Sequence, residues 1–129
     1  MKTVVKLIFG ILIFQTLLYS EKKTPLQKVT MSDSVYNNFK LAKGKIIEVE
    51  GEVIHVLYSG QSVRFVMAKN LKNPVVIESY DPELINGAKV GYGFRLCGVF
   101  LKHRKFTIQE KKMRLPVILV ESKKCSEGQ

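Results

Sequence analysis

The sequence is poor in the residues that most often carry chemistry, with two cysteines, two histidines and four arginines among 129 residues. His55 and His103 stand alone, and with Cys97 and Cys125 they show none of the paired spacing of a structural zinc site, so no metal is expected. Neither histidine lies in a recognisable nucleophile setting beside a serine or cysteine, so no catalytic residue is assigned and no cofactor is expected. Arginine's planar fork, the better ligand for phosphate, is limited to Arg64, Arg95, Arg104 and Arg114.

A long hydrophobic run is missing too. Leu7 to Leu18 spans 12 residues and is interrupted by Gln15 and Thr16, whereas a membrane-crossing helix needs about 20 apolar residues. Behind Lys2 and Lys6 this is the pattern of an export signal. Residues 1–20 are therefore expected to be a signal peptide cut after Ser20. Leu18 and Ser20 make a weaker site than Ala-x-Ala, so an uncleaved anchor is the alternative. The protein is expected in the periplasm or secreted, or associated with the membrane through residues 1–20 where the signal is retained.

The remaining 109 residues suit one domain with one modest core. They carry 19 basic and 11 acidic side chains, a balance of +8, and 15 of the 19 are lysines. Such an excess favours a polyanionic partner, whether acidic polysaccharide, nucleic acid or lipid head groups, while the same lysines also serve solubility.

What is present is largely strand. After a polar lead-in, "MSDSVYNNFKLAK" reads as a short helix capped by Ser32 or Asp33, with Val35, Tyr36 and Phe39 on one face. From Lys45 the period becomes two. Ile47, Val49, Val53 and Leu57, with His55 between them, are expected inward, and Glu48, Glu50 and Glu52 outward. Gly51 falls on the inward side, where a Cβ would obstruct a bend.

"YSGQS" reads as a turn, and "VRFVMA" as a second strand with Val63, Phe65 and Met67 on one face. "NLKNP" connects to a third strand, "VVIESY". "DPELING" is a miniature helix with Asp81 as cap, Pro82 at the first position and Gly87 as stop. "KVGYGFRLCGVFLK" is the fourth strand, and a basic connection, "HRKFTIQEKKMR", leads to a fifth, "LPVILVESKK".

Five strands, a bent first one and a helical turn between the third and fourth follow the order of the oligonucleotide/oligosaccharide-binding (OB) fold. The expected class is thus all-β, a five-stranded Greek-key barrel with a short N-terminal helix. Residues 21–43 form the lead-in and helix, 44–125 the barrel, and 126–129 a tail.

The runs "GKIIEVEGEVIHVLYSGQSVRFVMA" and "GAKVGYGFRLCGVFLK" resemble exported bacterial OB-like domains, in which a G-x-V strand pair precedes a "vG-x-x-x-r-x-x-G-x-f" strand. The resemblance lies in hydrophobic and glycine positions and carries no site residue. The first strands also resemble staphylococcal-nuclease-like barrels, which implies the alternative of a degenerate phosphodiesterase. Here "EGEV" stands where those barrels place Asp-Gly-Asp-Thr, so Glu50 and Glu52 could mimic the carboxylates but Val53 lacks the hydroxyl.

OB folds hold ligands between the loop joining the last two strands and the loop joining the first two. In the first lie Lys102, His103, Arg104, Lys105, Lys111, Lys112 and Arg114, with Phe106 as an aromatic platform; Tyr58 and Arg64 flank the second. These ten residues are the expected ligand site of a non-enzymatic binding module, whose partner is a polyanion or an envelope protein.

Cys97 and Cys125 suggest a disulfide in an exported chain. A hairpin centred near residue 109 would set Cys97 opposite roughly residue 120. At about 3.3 Å per residue, Cys125 then comes within reach only where the tail folds back. The pairing stays open on sequence alone.

Overall fold

The structure, a computed structural model, describes residues 27–125. The expected export segment 1–20 and the tail 126–129 lie outside the described residues. The chain order is strand β1 (Lys28–Thr30), helix α1 (Asp33–Asn37), a 3-10 turn (Phe39–Ala42), β2 (Ile46–Ser59), β3 (Val63–Lys69), β4 (Lys72–Ser79), α2 (Pro82–Gly87), β5 (Gly93–Ile108) and β6 (Lys111–Val120). Among the described residues no helix is long and apolar enough to cross a membrane.

The strands form one mixed sheet in the order β1-β2-β3-β4-β6-β5, and β2 also pairs with β5. The ladder through β2, β3, β4, β6 and β5 therefore returns on itself. There are six strands rather than the five expected, because three residues of the supposed lead-in, Lys28 to Thr30, run parallel to Ile46 to Glu48. Both helices begin as their sequences require. The Ser32 hydroxyl accepts from the Val35 N–H at 3.3 Å. The Asp81 carboxylate accepts from the Glu83 N–H at 3.1 Å, ahead of Pro82.

Strand β2 makes the closure possible by serving two partners. Ile47 to Glu52 pair with β5, and Glu52 to Ser59 pair with β3. At the exchange, Gly51 comes so close to β3 that a Cβ there would stand 2.6 Å from the Ala68 carbonyl oxygen. Only glycine tolerates that approach. Gly98 of β5 makes a similar approach to the Leu119 carbonyl of β6.

Register shifts in β2 between Val53 and His55 and between Val56 and Tyr58 change which residues face inward. Val56, not Leu57, packs on the main core, Leu57 joins a second cluster, and half-buried His55 leaves the inward set.

The main core gathers Ile47, Val49, Val53, Val63, Phe65, Met67, Val75, Ile77, Leu96, Ile118 and Val120, with Val35 and Phe39 closing one end. Burying a side chain such as Phe65 contributes about 1.5–3 kcal/mol. The second cluster lies on the opposite side of the sheet. There Val66, Val76, Leu115 and Val117 are buried beneath Leu57, Phe106, Ile108 and Met113.

Two connections differ from expectation. Asn70 and Leu71, both at positive φ, suffice to join β3 to β4, so Lys72 to Pro74 belong to the strand. More consequentially, "HRKFTIQEKKMR" is no loop. His103 to Ile108 extend β5, Lys111 to Arg114 begin β6, and only Gln109 and Glu110, again at positive φ, make the turn.

Glu48 is buried, not solvated as expected, because charges surround it. Lys28 Nζ lies 3.1 Å and Arg95 3.0 Å from its carboxylate, and that pairing, led by the Lys28 contact, holds its pKa below the ordinary value. Beside it Cys97 and Cys125 are joined as a disulfide with Cα atoms 5.0 Å apart. The tail folds back to make this reach, and the Lys123 N–H donates to the Asp81 carboxylate on the way. Cys97 is half-buried, on the sheet's outer side.

The close approach at Gly51 makes a direct prediction. Gly51→Val is expected to lower stability by about 1–3 kcal/mol, or several degrees in melting temperature for a domain of this size. A thermal melt checks it, and an unchanged Tm would contradict the packing of β2 on β3.

Candidate functional site

Because the basic segment is a hairpin, the two-residue period divides its charges between two faces. Cross-strand partners share a face, and the pairs His103 with Pro116, Lys105 with Arg114 and Thr107 with Lys112 define one of them. This face continues the core side of the sheet, since Pro116 shares the parity of core residues Ile118 and Val120. Arg104 with Leu115, Phe106 with Met113 and Ile108 with Lys111 define the other, to which Lys102 with Val117 belongs.

The ten expected site residues therefore do not form one patch. His103, Lys105, Lys112 and Arg114 are brought together on the core-side face. Lys102, Arg104, Phe106 and Lys111 lie on the outer face. There the Arg104 guanidinium sits 5.6 Å from the centre of the Phe106 ring, and the ring is half-buried in the second apolar cluster. Phe106 is thus engaged by its own neighbours, not free as a stacking platform. Tyr58 and Arg64 pair across β2 and β3. Arg64 is tied to Glu78 at 3.2 Å, and exposed Tyr58 lies over the turn at Gly60.

On the core-side face the charges lead into a groove of about 650 Å³. It lies between the 3-10 turn and β5, and its lining includes Phe39, Ala42, Val99, Phe100 and Leu101, with Lys40, Lys43, Lys45 and His103. Phe39 and Phe100 stack at 4.4 Å, and His103 stands edge-on to both, at 5.4 and 5.2 Å. His103 thus joins the groove to the basic face of the hairpin.

Lys40, Lys43 and Lys45 were not among the expected site residues. The sequence signal for them is their clustering between a helix end and a strand start, a signal that resembles any solvated turn until β5 is known to lie opposite.

Burial, and after it the positive charge of Arg114, hold the His103 imidazole below its ordinary pKa. The folded protein therefore favours neutral His103. The stability this contributes is present above the unfolded value of about 6.5 and is lost as pH falls from there through the lower folded value. Urea midpoints measured from about pH 8 to 5 should decline more in the wild type than in His103→Gln. Parallel curves would contradict the burial of the ring between Phe39, Phe100 and Arg114.

No family model matches the chain, and no curated protein does. Among solved structures it is similar to a protein described as an aspartyl-tRNA synthetase from Leishmania major Friedlin, with a TM-score of 0.53 and 11% identity. The match covers 82% of this chain but 25% of that one, so the chain spans about a quarter of that protein's length. At this identity the likeness concerns the fold alone: a small, mostly β chain with a six-stranded mixed sheet.

Proposed function

We propose that the chain is an exported, non-enzymatic binding module built on an OB-type barrel, with β1 as an added edge strand and a polyanion as its ligand. The strand order β2-β3-β4-β6-β5, its return to β2, and α2 between β4 and β5 support the barrel reading. The reading of residues 1–20 as an export signal, on their basic head and short apolar core, favours an acidic envelope or extracellular polymer over intracellular nucleic acid as the usual partner.

OB folds bind ligands on the face of their second and third strands, between the flanking loops. In this chain those strands are β3 and β4. Their outer face is filled by the chain's own side chains, since Val66 and Val76 lie under Leu57, Phe106, Ile108 and Met113, and Arg64 is paired with Glu78. The observation that carries the reading is instead the core-side face of the hairpin, where Lys105, Lys112 and Arg114 are exposed beside His103. A flexible polyanion laid along this face would neutralise three cations that contribute little to stability, and would release counterions as it did so.

Fluorescence anisotropy with a single-stranded oligonucleotide and with an acidic polysaccharide, across a salt series, tests the proposal. Lys105→Gln/Lys112→Gln/Arg114→Gln should weaken binding and lower the slope of log K against log salt by about 2, with an unchanged melting temperature. Lys102→Gln/Arg104→Gln/Lys111→Gln, on the other face, should change it less. Equal binding by the wild type and the first variant, for both ligands, would assign these charges to solubility and leave docking to an envelope protein as the surviving function.

A further inference from the structure

We infer that the groove between the 3-10 turn and β5 is a second binding site, for an amphiphile with an acyl chain and an anionic head. This site goes beyond the polyanion reading and uses other lysines.

The walls divide by chemistry. Phe39, Ala42, Val99, Phe100 and Leu101 supply ring, methyl and methylene surface, Lys40, Lys43 and Lys45 supply ammonium groups, and among the described residues no acidic one lines the groove. A volume of about 650 Å³ lies within the range of roughly 300–1,000 Å³ that holds small ligands. An apolar trough with cations and no anions is complementary to a ligand whose one part avoids water and whose other part is negative.

The same walls disfavour a nucleotide. Phe39 is 7% exposed and stacks with Phe100, so the aromatic pair is packed into the end of the core rather than splayed to receive a base. Besides lysine and His103, the polar side chains in the lining are those of Asn37 and Asn38, and the Asn38 oxygen already accepts from the Lys40 N–H. That leaves few groups to read a base edge. An acyl chain needs none.

The surroundings fit a ligand delivered from a lipid phase. Leu41 and Leu101 are 49% and 48% exposed and stand next to Lys40 and Lys102 in the chain. Exposed leucines among lysines are the pattern of segments that lie in an anionic membrane surface, apolar tips in the acyl boundary and ammonium groups at the head groups. A bilayer lipid and a free single-chain amphiphile present this same chemistry to the groove.

The test uses the full chain, labelled with ¹⁵N, and a residue-resolved reading that separates the groove from any other apolar segment. Dodecyl phosphate, added below its micellar concentration, should move the amide signals of Lys40 to Lys45 and Val99 to His103 saturably. Dodecyl maltoside, the neutral counterpart, should leave them in place. Lys40→Gln/Lys43→Gln/Lys45→Gln should weaken the phosphate amphiphile by about tenfold or more, and Leu101→Asp should do the same through the apolar wall. Lys105→Gln/Lys112→Gln/Arg114→Gln should bind it as the wild type does, so the fate of the hairpin site and that of the groove are read independently.

A second arm measures co-sedimentation with vesicles of phosphatidylcholine, with and without phosphatidylglycerol. Sedimentation that requires phosphatidylglycerol and is lost in the groove-lysine variant supports the site with bilayer lipid as the source. Dodecyl phosphate binding without sedimentation supports it with a free amphiphile. Groove amides that do not respond to dodecyl phosphate, or that respond equally to the maltoside, would overturn the inference.

Discussion

The structure depends on one backbone contact, the approach of β2 to β3 at Gly51, where the strand leaves β5 and takes up its second partner. A strand can turn from one neighbour to another only where its side chain leaves room for the new backbone, and here a Cβ would meet the Ala68 carbonyl. Because the exchange succeeds, the ladder closes, and the inward residues of five strands enclose one core. The register shifts that follow in β2 turn Val56 inward and release Leu57 to the second cluster, so both sides of the sheet are packed.

Closure uses less of β5 and β6 than the sequence provides. Before Val117 in β6, and after its partner Lys102 in β5, the two strands pair only with each other, since the pairing of β6 with β4 covers Val117 to Val120 alone. The surplus is an arm with two characters. One face is half-apolar and folds into the second cluster, while the other carries Lys105, Lys112 and Arg114 away from the end of the core, where Phe39, Phe100 and His103 meet. The charge that composition alone announces as an undirected excess is thereby given a direction.

Residues with local causes were legible in the sequence. Ser32 and Asp81 cap the helices, Pro82 starts the second, Gly51 marks the exchange, and Val63, Phe65 and Met67 line the core. What was not legible has non-local causes. The strand Lys28–Thr30 exists because β2 offers it a free edge, and three residues carry no periodic signal.

The Lys102–Arg114 segment reads as a loop in the sequence because it is charged and its turn residues, Gln109 and Glu110, lack the glycine that marks tight hairpins. Its alternation of Arg104, Phe106 and Ile108 with His103, Lys105 and Thr107 was present in the sequence but masked by charge. The strand period alone places Glu48 in solvent, because neither Lys28 nor Arg95 is near it in the chain. The groove could not be foreseen, since its two walls come from the 3-10 turn and from β5, more than 50 residues apart.

The measurement that bears most directly on this account is a nuclear Overhauser spectrum of the protein, read along β2. The two-partner strand requires contacts between Val49 and Leu96 of β5 and between Val53 and Met67 of β3 in the same molecule, with the change of partner at Gly51 to Glu52. Finding both sets predicts the closed ladder and everything placed by it. A β2 that shows contacts to β3 along its whole length and none to β5 would contradict the account.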